Sequence, residues 1–580
     1  MASAAPTIAN RSSLPTRRGI SLSGLGLLFS ILLALVAFVV LYPILLLIIN
    51  SFQVGIFGRE MTWGLDNWRT GLAEPKIREA IFNTLGLTAV RQFISFALGV
   101  CLAWLFARTN LPGKNILEFG FWVAFFLPTL TVTLGWILIF DGERGLANKL
   151  LMNLPFVTGP VFDIYSWWGI VFVHLVTGTL ASKVILLTPA FRNLDSSLEE
   201  ASIASGASTF STLFRIVVPV MAPALMIVML LGTIRSLESF EVELILGAPH
   251  HIDVYSTLIY RQVQQQPPQY GNATVLSLVV LGLILPFVLA QQWITNKRSH
   301  ATVTGKHAAR LQNLGKWRWP IFALVLTLVI IVDIVPIVFI VMSTFMKLFG
   351  FFTVADPWTM RHWQEGLRDP GLLAALRNTL ILGFGAAALS MVLYTLIAYM
   401  SVRTRFRGRG LLDFLTWLPT TLPGIVISLG FLWLFLGTPV FRPLYGTMWI
   451  LIIAVTLSSM TVGVQIIKSN MVQLGAELEE ASWASGGSWM YTLRRVVIPL
   501  VAPVVAVVGV LTFATAARAT SVVALLSSRN IQPLSMVQLD HMSDGAFERA
   551  SVIGVIILLL TTGVALVGRF IGGKSGIAGR

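Results

Sequence analysis

The sequence predicts an all-α polytopic membrane protein with about twelve transmembrane helices, arranged as two parallel six-helix repeats. Its composition is 56% hydrophobic and only 12% charged, whereas about 25% of the residues are charged in a soluble domain. Apolar runs of about 20 residues, the length that crosses a bilayer as a helix, recur along almost the whole chain. In addition, two polar segments 280 positions apart carry the same residues at the same spacing, which indicates an internal duplication.

The predicted spans divide evenly between the two halves of the chain. We expect those of the first half near residues 21–50, 80–107, 116–140, 166–190, 216–246 and 272–295. Those of the second half fall near residues 319–346, 374–402, 411–436, 447–469, 496–527 and 549–571. Because six is an even number, both halves enter the membrane from the same side, so the repeat is parallel rather than inverted.

These spans define five parts of the chain. They are an N-terminal leader at 1–20, a first membrane domain at 21–295 with its core at 80–295, a linker at 296–318, a second membrane domain at 319–571 with its core at 374–571, and a tail at 572–580. The linker, rich in lysine and arginine, and both termini are predicted to be cytoplasmic.

The net charge of +15 reflects membrane orientation rather than nucleic-acid binding. Its basic residues are concentrated in short loops on one topological side, among them Arg108 and Arg403 at corresponding places in the two halves. Cytoplasmic loops of membrane proteins carry such an excess of positive charge. The expected partner of the apolar surface is therefore a lipid bilayer, in the inner membrane of a bacterial cell.

The duplicated segment begins with Glu200-Ala201-Ser202 and continues through Gly206 to Pro219. The second copy, 280 positions later, consists of Glu480, Ala481, Ser482, Gly486 and Pro499. Further pairs at offsets of 291 to 295 support the duplication: Asn83-Thr84 with Asn378-Thr379, Pro43 with Pro336, and Leu127-Pro128-Thr129 with Leu418-Pro419-Thr420. A shared spacing of glutamate, glycine and proline in two polar loops indicates that both loops bind the same kind of partner.

Each copy is expected to form an angled pair of short helices. Ser196 and Glu199 have the spacing of a capping box that starts a helix. Gly206 then ends this helix, since glycine adopts the positive φ that turns the chain. Ser208 can cap a second short helix that leads toward Pro219. We call each such unit an elbow: residues 197–217 form the first elbow and residues 477–497 the second.

With these loops the chain resembles the fused, two-domain permease subunits of binding-protein-dependent ABC importers. Their signature reads Glu-Ala-Ala, three residues, Gly, nine residues, then Ile-x-Leu-Pro. This chain carries it twice, with Ser202 and Ser482 in place of the second alanine, and with Val218, Ile498 and Val496 as further conservative departures. The resemblance implies the type I importer permease fold. It also implies that each elbow is a coupling helix that docks on one of two copies of an ABC ATPase subunit.

The resemblance also implies where the energy and the substrate come from. ATP and Mg would be used by the partner ATPase, with no cofactor bound by this chain, and a periplasmic binding protein would deliver the substrate. The fused layout is most similar to the iron(III) permease family. Thiamine, polyamine and phosphonate systems share the loop or the fusion, and an ion-coupled secondary transporter of the six-plus-six type is the alternative from another class.

No catalytic site is predicted in this chain. Residues 568–575 formally match a phosphate-binding loop, but a membrane span precedes them and only five residues follow, so we expect no ATPase site. Cys101, which lies in an apolar run, is the single cysteine of the sequence, so an internal disulfide is excluded. No pair of the seven histidines has the helix-face spacing of a zinc site, and metal ligands are expected to be absent.

Three polar features stay open at this stage. Glu238 and Arg518 are separated by 280 positions, so they occupy equivalent places in the two fifth spans, and either pair across the twofold axis as part of an outer gate or reach external water. Asp333 either satisfies backbone groups freed by Pro336 or faces the pathway. His250-His251 lie in an external segment that is either an ordinary polar loop or a transient metal contact.

Overall fold

A computed structural model describes residues 22–55, 61–195, 197–297, 311–352, 354, 356–404 and 406–574. The predicted leader at 1–20, Ser196, most of the linker and the end of the tail therefore lie outside the described residues. The described chain is almost entirely helical, and its two short strands, β1 (Gln53–Val54) and β2 (Thr62–Trp63), pair antiparallel.

The first half has two short helices, Leu146–Leu151 and Glu241–Gly247, without an α-helical counterpart among the described residues of the second half. Otherwise the helices follow one general order in both halves. In the first half they are α1 (Leu22–Ser51), α2 (Asp66–Leu72), α3 (Ile77–Arg108), α4 (Lys114–Phe126), α5 (Thr129–Phe140), α6 (Leu146–Leu151), α7 (Trp167–His174), α8 (Leu180–Arg192), α9 (Ser197–Ala204), α10 (Thr209–Thr212), α11 (Val218–Leu237), α12 (Glu241–Gly247), α13 (Tyr255–Gln264) and α14 (Tyr270–Lys297).

In the second half they are α15 (Arg318–Val329), α16 (Val335–Ser343), α17 (Arg361–Arg368), α18 (Pro370–Arg403), α19 (Arg409–Trp417), α20 (Gly424–Gly437), α21 (Met448–Gln473), α22 (Glu477–Ala484), α23 (Trp489–Thr492), α24 (Ile498–Ala517), α25 (Leu534–Ser543) and α26 (Phe547–Lys574). Short π-helical turns at Leu213–Val217, Ile330–Ile334 and Leu493–Val497 join consecutive helices into single membrane spans. At Leu175–Thr179 the span kinks instead, and Gly178 there has a φ of +93°. Short 3₁₀ turns lie at Ala248–His250, Gly315–Trp317, Leu418–Thr421 and Arg442–Leu444.

The third span of each half is not the continuous helix that the sequence predicted. The chain bends by 102° between α4 and α5, and by 111° between residues 421 and 424. Each break contains a proline, Pro128 or Pro423, which lacks the backbone donor that a continuing helix needs and restricts the residue before it. These prolines are 295 positions apart, so Pro128 corresponds to Pro423, and its predicted pairing with Pro419 was wrong.

Both bent pairs nevertheless cross the membrane. Arg108, at the end of α3, forms an ion pair with Glu199 in α9, so these two ends lie on the same side. Between them the chain passes through the α4–α5 pair and through the span Trp167–Arg192. The span takes the chain across the membrane once. The bent pair must therefore take it across once as well, because otherwise the two ends would lie on opposite sides. Arg403 and Glu479 give the same result in the second half, so the described residues contain twelve spans.

The fifth spans are shorter than predicted. They end at Leu237 and Ala517, and not at residues 246 and 527. The following segments return into the protein, where Val242, Leu246 and Val523 are buried. Glu238 and Arg518 therefore lie at the corners where the spans end, next to buried segments.

The first membrane span of each half packs against the other half. α1 packs against α19 and α20 of the second half, and α16 packs against α5 of the first. At both contacts a proline backbone lies against a glycine: a side chain on Gly430 would meet the carbonyl oxygen of Pro43 at 3.4 Å, and one on Gly135 that of Pro336 at 2.7 Å. The predicted correspondence of Pro43 with Pro336 is thus confirmed, and the halves are interlocked.

The same hydrogen bonds recur in both halves and confirm the duplication. Asn83 donates to the carbonyl oxygen of Asp253 at 3.0 Å, and Asn378 to that of Asn530 at 3.1 Å. The threonine that follows each asparagine, Thr84 or Thr379, accepts a hydrogen bond through its hydroxyl oxygen. The donor in both halves is a backbone N–H at the start of the next short helix. These bonds fix the segment after each fifth span against the second span.

Candidate functional site

Both duplicated loops fold as the predicted elbows. In the first, α9 and α10 are joined by a turn at Gly206, whose φ is +85°. In the second, α22 and α23 are joined at Gly486, whose φ is +83°. The second helix of each elbow is capped as predicted, because the hydroxyl oxygen of Ser208 accepts from Ser211 N at 3.2 Å and that of Ser488 from Tyr491 N at 3.3 Å.

A hydroxyl pair closes each elbow. The side chains of Ser202 and Thr212 lie 2.9 Å apart, and those of Ser482 and Thr492 lie 2.8 Å apart, so each pair joins the two short helices. Ser202 and Ser482 are the positions at which the sequence departs from the Glu-Ala-Ala signature. The departure therefore has a structural role, since an alanine at either position would remove this bond.

A buried ion pair anchors each elbow to the membrane domain. Arg108 Nε lies 3.4 Å from Glu199 Oε1, and Arg403 Nε lies 3.1 Å from Glu479 Oε1. Burial raises the pKa of Glu199 and of Glu479 above its ordinary value, and the arginine beside each opposes this rise. The arginines also bind backbone: Arg403 donates to the carbonyl oxygen of Leu474 at 2.6 Å, and Arg108 to that of Leu194.

The anchoring glutamates are not the ones that the signature highlights. Glu200 and Glu480 are exposed, as are Ala201 and Ala481, whereas Glu199 is only 3% exposed. The sequence contained a signal for this role, because both glutamates of the Glu-Glu pair recur after 280 positions, whereas the Glu-Ala-Ala signature includes only the second glutamate of each pair. The exposed residues form the outer surface of each elbow, and Pro219 and Pro499 start the span that follows it.

The predicted pair Glu238 and Arg518 is not an ion pair in this structure. Arg518 donates to the carbonyl oxygen of Phe125 at 3.0 Å, at the end of α4. The carboxylate that acts electrostatically on Arg518 is Glu241, and the cation that acts on Glu238 is Arg235, near the end of α11. Both residues of the predicted pair are partly exposed although they lie deep in the protein. A role in a gate stays a prediction.

A buried charge cluster that the sequence reasoning missed lies in the first half. Arg91 NH1 lies 3.2 Å from Glu243 Oε1, and His174 Nε2 lies 2.8 Å from the same oxygen. Arg91 also donates to Ser239 Oγ at 2.9 Å and to the carbonyl oxygen of Ser236. The cluster joins α3, α7 and the corner between α11 and α12. Ionisable residues inside predicted spans were the available signal.

The second half has an apolar version of this cluster. At the offsets of 295 and 280 positions, Arg91 corresponds to Ala386, His174 to Ala454 and Glu243 to Val523. These three counterparts are buried as well.

The structure also places the other polar features that the sequence left open. Asp333 is buried in the π-helical turn before Pro336, near Gly120 of α4, and its Oδ1 accepts no hydrogen bond from the described residues. This oxygen therefore does not satisfy the backbone groups freed by Pro336, and a place of Asp333 on the pathway stays a prediction. His250 pairs with Asp163 at 3.1 Å, so the histidine segment forms a polar surface contact. Residues 568–574 continue α26 as a helix and do not form a phosphate-binding loop.

Twelve spans in two interlocked halves, with two equivalent elbows on one side, define a polytopic transport permease. The family described as "Binding-protein-dependent transport system inner membrane component" matches residues 96–300 and 393–573. These residues make up more than half of the chain, and the chain belongs to this family. It is therefore the permease subunit of an ABC importer and a multi-pass inner membrane protein.

Its relatives include permeases that align with most of this chain and are longer than it. The ferric transport system permease protein FbpB of Actinobacillus pleuropneumoniae is 28% identical over 555 residues, which cover 93% of this chain and 77% of the relative. A putative ferric transport system permease protein of Haemophilus influenzae is 28% identical over 509 residues, which cover 85% and 77%. A bacterial alginate ABC transporter aligns with 49% of this chain and 98% of its own at 19% identity, and its TM-score of 0.41 is too low to carry an argument.

The charge cluster generates a stability prediction. Replacing Glu243 by alanine leaves the Arg91 guanidinium buried without its acidic partner, so we expect the free energy of unfolding to fall by about 3–5 kcal/mol. The measurement is thermal unfolding of the purified protein in detergent.

The matched control is Val523→Ala at the equivalent position of the second half. Because this change removes only apolar volume, we expect a loss of about 1–2 kcal/mol. A Glu243→Ala variant that unfolds at the same temperature as the control would contradict a stabilising role of the cluster.

Proposed function

We propose that this chain is the membrane-spanning permease of an ATP-driven importer, and that its two elbows are the coupling surfaces. The observation that carries the proposal is the recurrence of one elbow geometry in both halves, down to the glycine φ, the hydroxyl pair and the buried ion pair. Two equivalent surfaces on one side of the membrane suit two equivalent copies of a motor subunit.

In this proposal the partner ATPase uses ATP and Mg, and the permease transmits its motion. The surface offered to each ATPase includes small exposed residues, namely Ala201, Ala204 and Ser205 in the first elbow and Ala481, Ala484 and Ser485 in the second. Small side chains let the partner approach the elbow backbone closely. The buried arginine behind each elbow then passes displacement to α3 or α18, since the ion pair joins elbow and span directly.

The elbow side of the membrane is the cytoplasmic side in this proposal. The linker segment 311–314 lies on that side because its backbone forms hydrogen bonds with the end of α3. Since each half crosses six times, both termini belong on the cytoplasmic side too. The basic residues that cluster in the loops of this side support the assignment.

The glycine turns provide a direct test of coupling. In the variants Gly206→Val and Gly486→Val a β-branched residue must adopt a positive φ, which costs about 1–3 kcal/mol and re-aims the elbow. We expect membrane insertion to stay intact and ATP-driven uptake to be lost. The measurement is uptake by vesicles that contain the variant together with the ATPase and the binding protein.

The control is Gly410→Val, in the exposed first turn of α19, where a side chain would meet nothing within 4 Å and φ is not positive. This variant should transport like the parent protein. Unchanged uptake in both elbow variants would refute the proposed role of the elbows.

The substrate that we propose is iron(III), delivered by a periplasmic binding protein. Two relatives that share the fused architecture over 85% or more of this chain are named as ferric transport permeases. Since the binding protein selects the ligand in such systems, the same permease framework also suits thiamine, a polyamine or a phosphonate.

Reconstitution decides between these substrates. Vesicles that contain this permease and its ATPase should accumulate ferric iron only when ATP and the iron-loaded binding protein are both present. Thiamine, polyamine and phosphonate, each presented with the corresponding binding protein, serve as comparisons. Uptake of iron driven by an ion gradient without ATP would favour a secondary transporter and refute the ATP-driven mechanism.

We also propose that Glu238 and Arg518 line the pathway and pair when the outer side closes. They occupy equivalent corners of the two halves and are partly exposed in the interior. The variants Glu238→Arg and Arg518→Glu should each lose uptake, because each variant brings two like charges together when the outer side of the pathway closes. The double variant should recover at least part of it. A double variant as inactive as the single variants would exclude the pairing.

A further inference from the structure

The linker between the two halves contacts the first elbow. Residues 311–314, here called the strap, pair with the end of α3: Gln312 N donates to the carbonyl oxygen of Arg108 at 2.8 Å, and Asn110 N donates to that of Gln312 at 3.1 Å. Asn313 adds a side-chain bond to Asn110 at 2.9 Å. The strap is thus fixed to the same helix end that carries the anchoring arginine.

The Gln312 side chain completes the anchor of the first elbow. Its amide donates to Glu199 Oε2 at 3.1 Å, while Arg108 pairs with the other oxygen of the same carboxylate. Because Glu199 is 3% exposed, the loss of this bond would leave a buried carboxylate oxygen without a donor. Burial raises the pKa of Glu199, and the bonds from Arg108 and Gln312 both oppose this rise.

The second elbow is held by a different set of side chains in the same place. Tyr399 donates its hydroxyl to Glu479 Oε2 at 3.4 Å, and Trp489 Nε1 donates to the Tyr399 oxygen at 3.1 Å. The ring of Phe29, at the start of α1, packs edge-on against Trp489 with 6.2 Å between ring centroids. The start of α1 therefore contacts the second elbow.

These contacts share one topological feature. The strap leads through the turn Gly315–Trp317 into α15, the first helix of the second half, and it holds the first elbow. α1 is the first helix of the first half, and it contacts the second elbow. Each elbow is therefore held by the segment that starts the opposite half.

We propose that these crossed contacts make the two elbows move together, and that Gln312 is the positioning residue of the first elbow. A displacement of either elbow then shifts the first span of the opposite half, which packs through Pro43 or Pro336 on the bent third span of the elbow's own half. Because this first span continues along the chain into the opposite half, it carries the displacement there. The linker is thus a working part of the coupling machinery as well as a covalent connection. The proposal rests on the proposed role of the elbows.

The test uses the complete transporter in vesicles, with ATPase and iron-loaded binding protein, and measures ferric iron taken up per ATP hydrolysed. In Gln312→Leu the side chain keeps a similar size and loses its donor, so Glu199 is released from the strap. We expect the ratio to fall about 3-fold to 20-fold while ATP hydrolysis continues. Gln312→Lys keeps a donor for Glu199 and should restore most of the ratio.

Two further variants separate coupling from stability. Asn313→Ala cuts another hydrogen bond of the same strap without touching the elbow, and it should leave the ratio unchanged. Phe29→Leu keeps α1 apolar and removes the ring that contacts Trp489, so it should lower the ratio from the other side. This second variant tests the proposal even where Gln312→Leu fails to assemble with the ATPase.

The outcomes distinguish this inference from the proposed function. If the elbow variants Gly206→Val and Gly486→Val abolish uptake while Gln312→Leu and Phe29→Leu keep the parental ratio, the crossed contacts have no coupling role and the inference is overturned. If the elbow variants transport normally, the proposed function itself fails. An equal fall of the ratio in Asn313→Ala and Gln312→Leu would show a merely structural strap and would overturn the inference too.

Discussion

The buried ion pair behind each elbow is the interaction on which the rest of this architecture depends. A guanidinium and a carboxylate removed from water are stable only while they stay together, because either one alone is a buried, uncompensated charge. Arg108 and Glu199, like Arg403 and Glu479, therefore tie an elbow to the end of a long membrane helix. A force applied to the exposed elbow surface reaches the span without first being absorbed by a flexible connection.

Interlocking of the halves determines how such a force spreads. The first span of each half packs on the bent third span of the other, and a proline backbone contacts Gly135 or Gly430 there. Protein interiors at this packing density transmit displacement instead of deforming locally. The crossed contacts at Gln312 and Phe29 lie at the elbow end of the same arrangement. Two halves that exchange their first helices in this way have few means to move independently.

The two halves share a frame but differ inside it. The first half stabilises the corner after its fifth span with Arg91, His174 and Glu243, whereas the second half fills the equivalent space with Ala386, Ala454 and Val523. Charge pairing fixes the first corner through directional hydrogen bonds, and close apolar packing fills the second. The duplication therefore preserved the elbows in both halves and let the interior chemistry diverge.

The sequence by itself determined the number of spans, the parallel duplication and the elbows, because bilayer thickness, glycine φ and capping hydroxyls act over short stretches of chain. It also indicated the family through Glu200, Gly206 and their repeats. Only the tertiary structure decided that Glu199 and not Glu200 is the anchor, that the third spans bend at Pro128 and Pro423, and that the strap reaches the first elbow. The anchor and the strap contact depend on which side chains from distant segments meet, and a proline permits a bend without setting its angle, so neither local spacing nor hydropathy encodes these features.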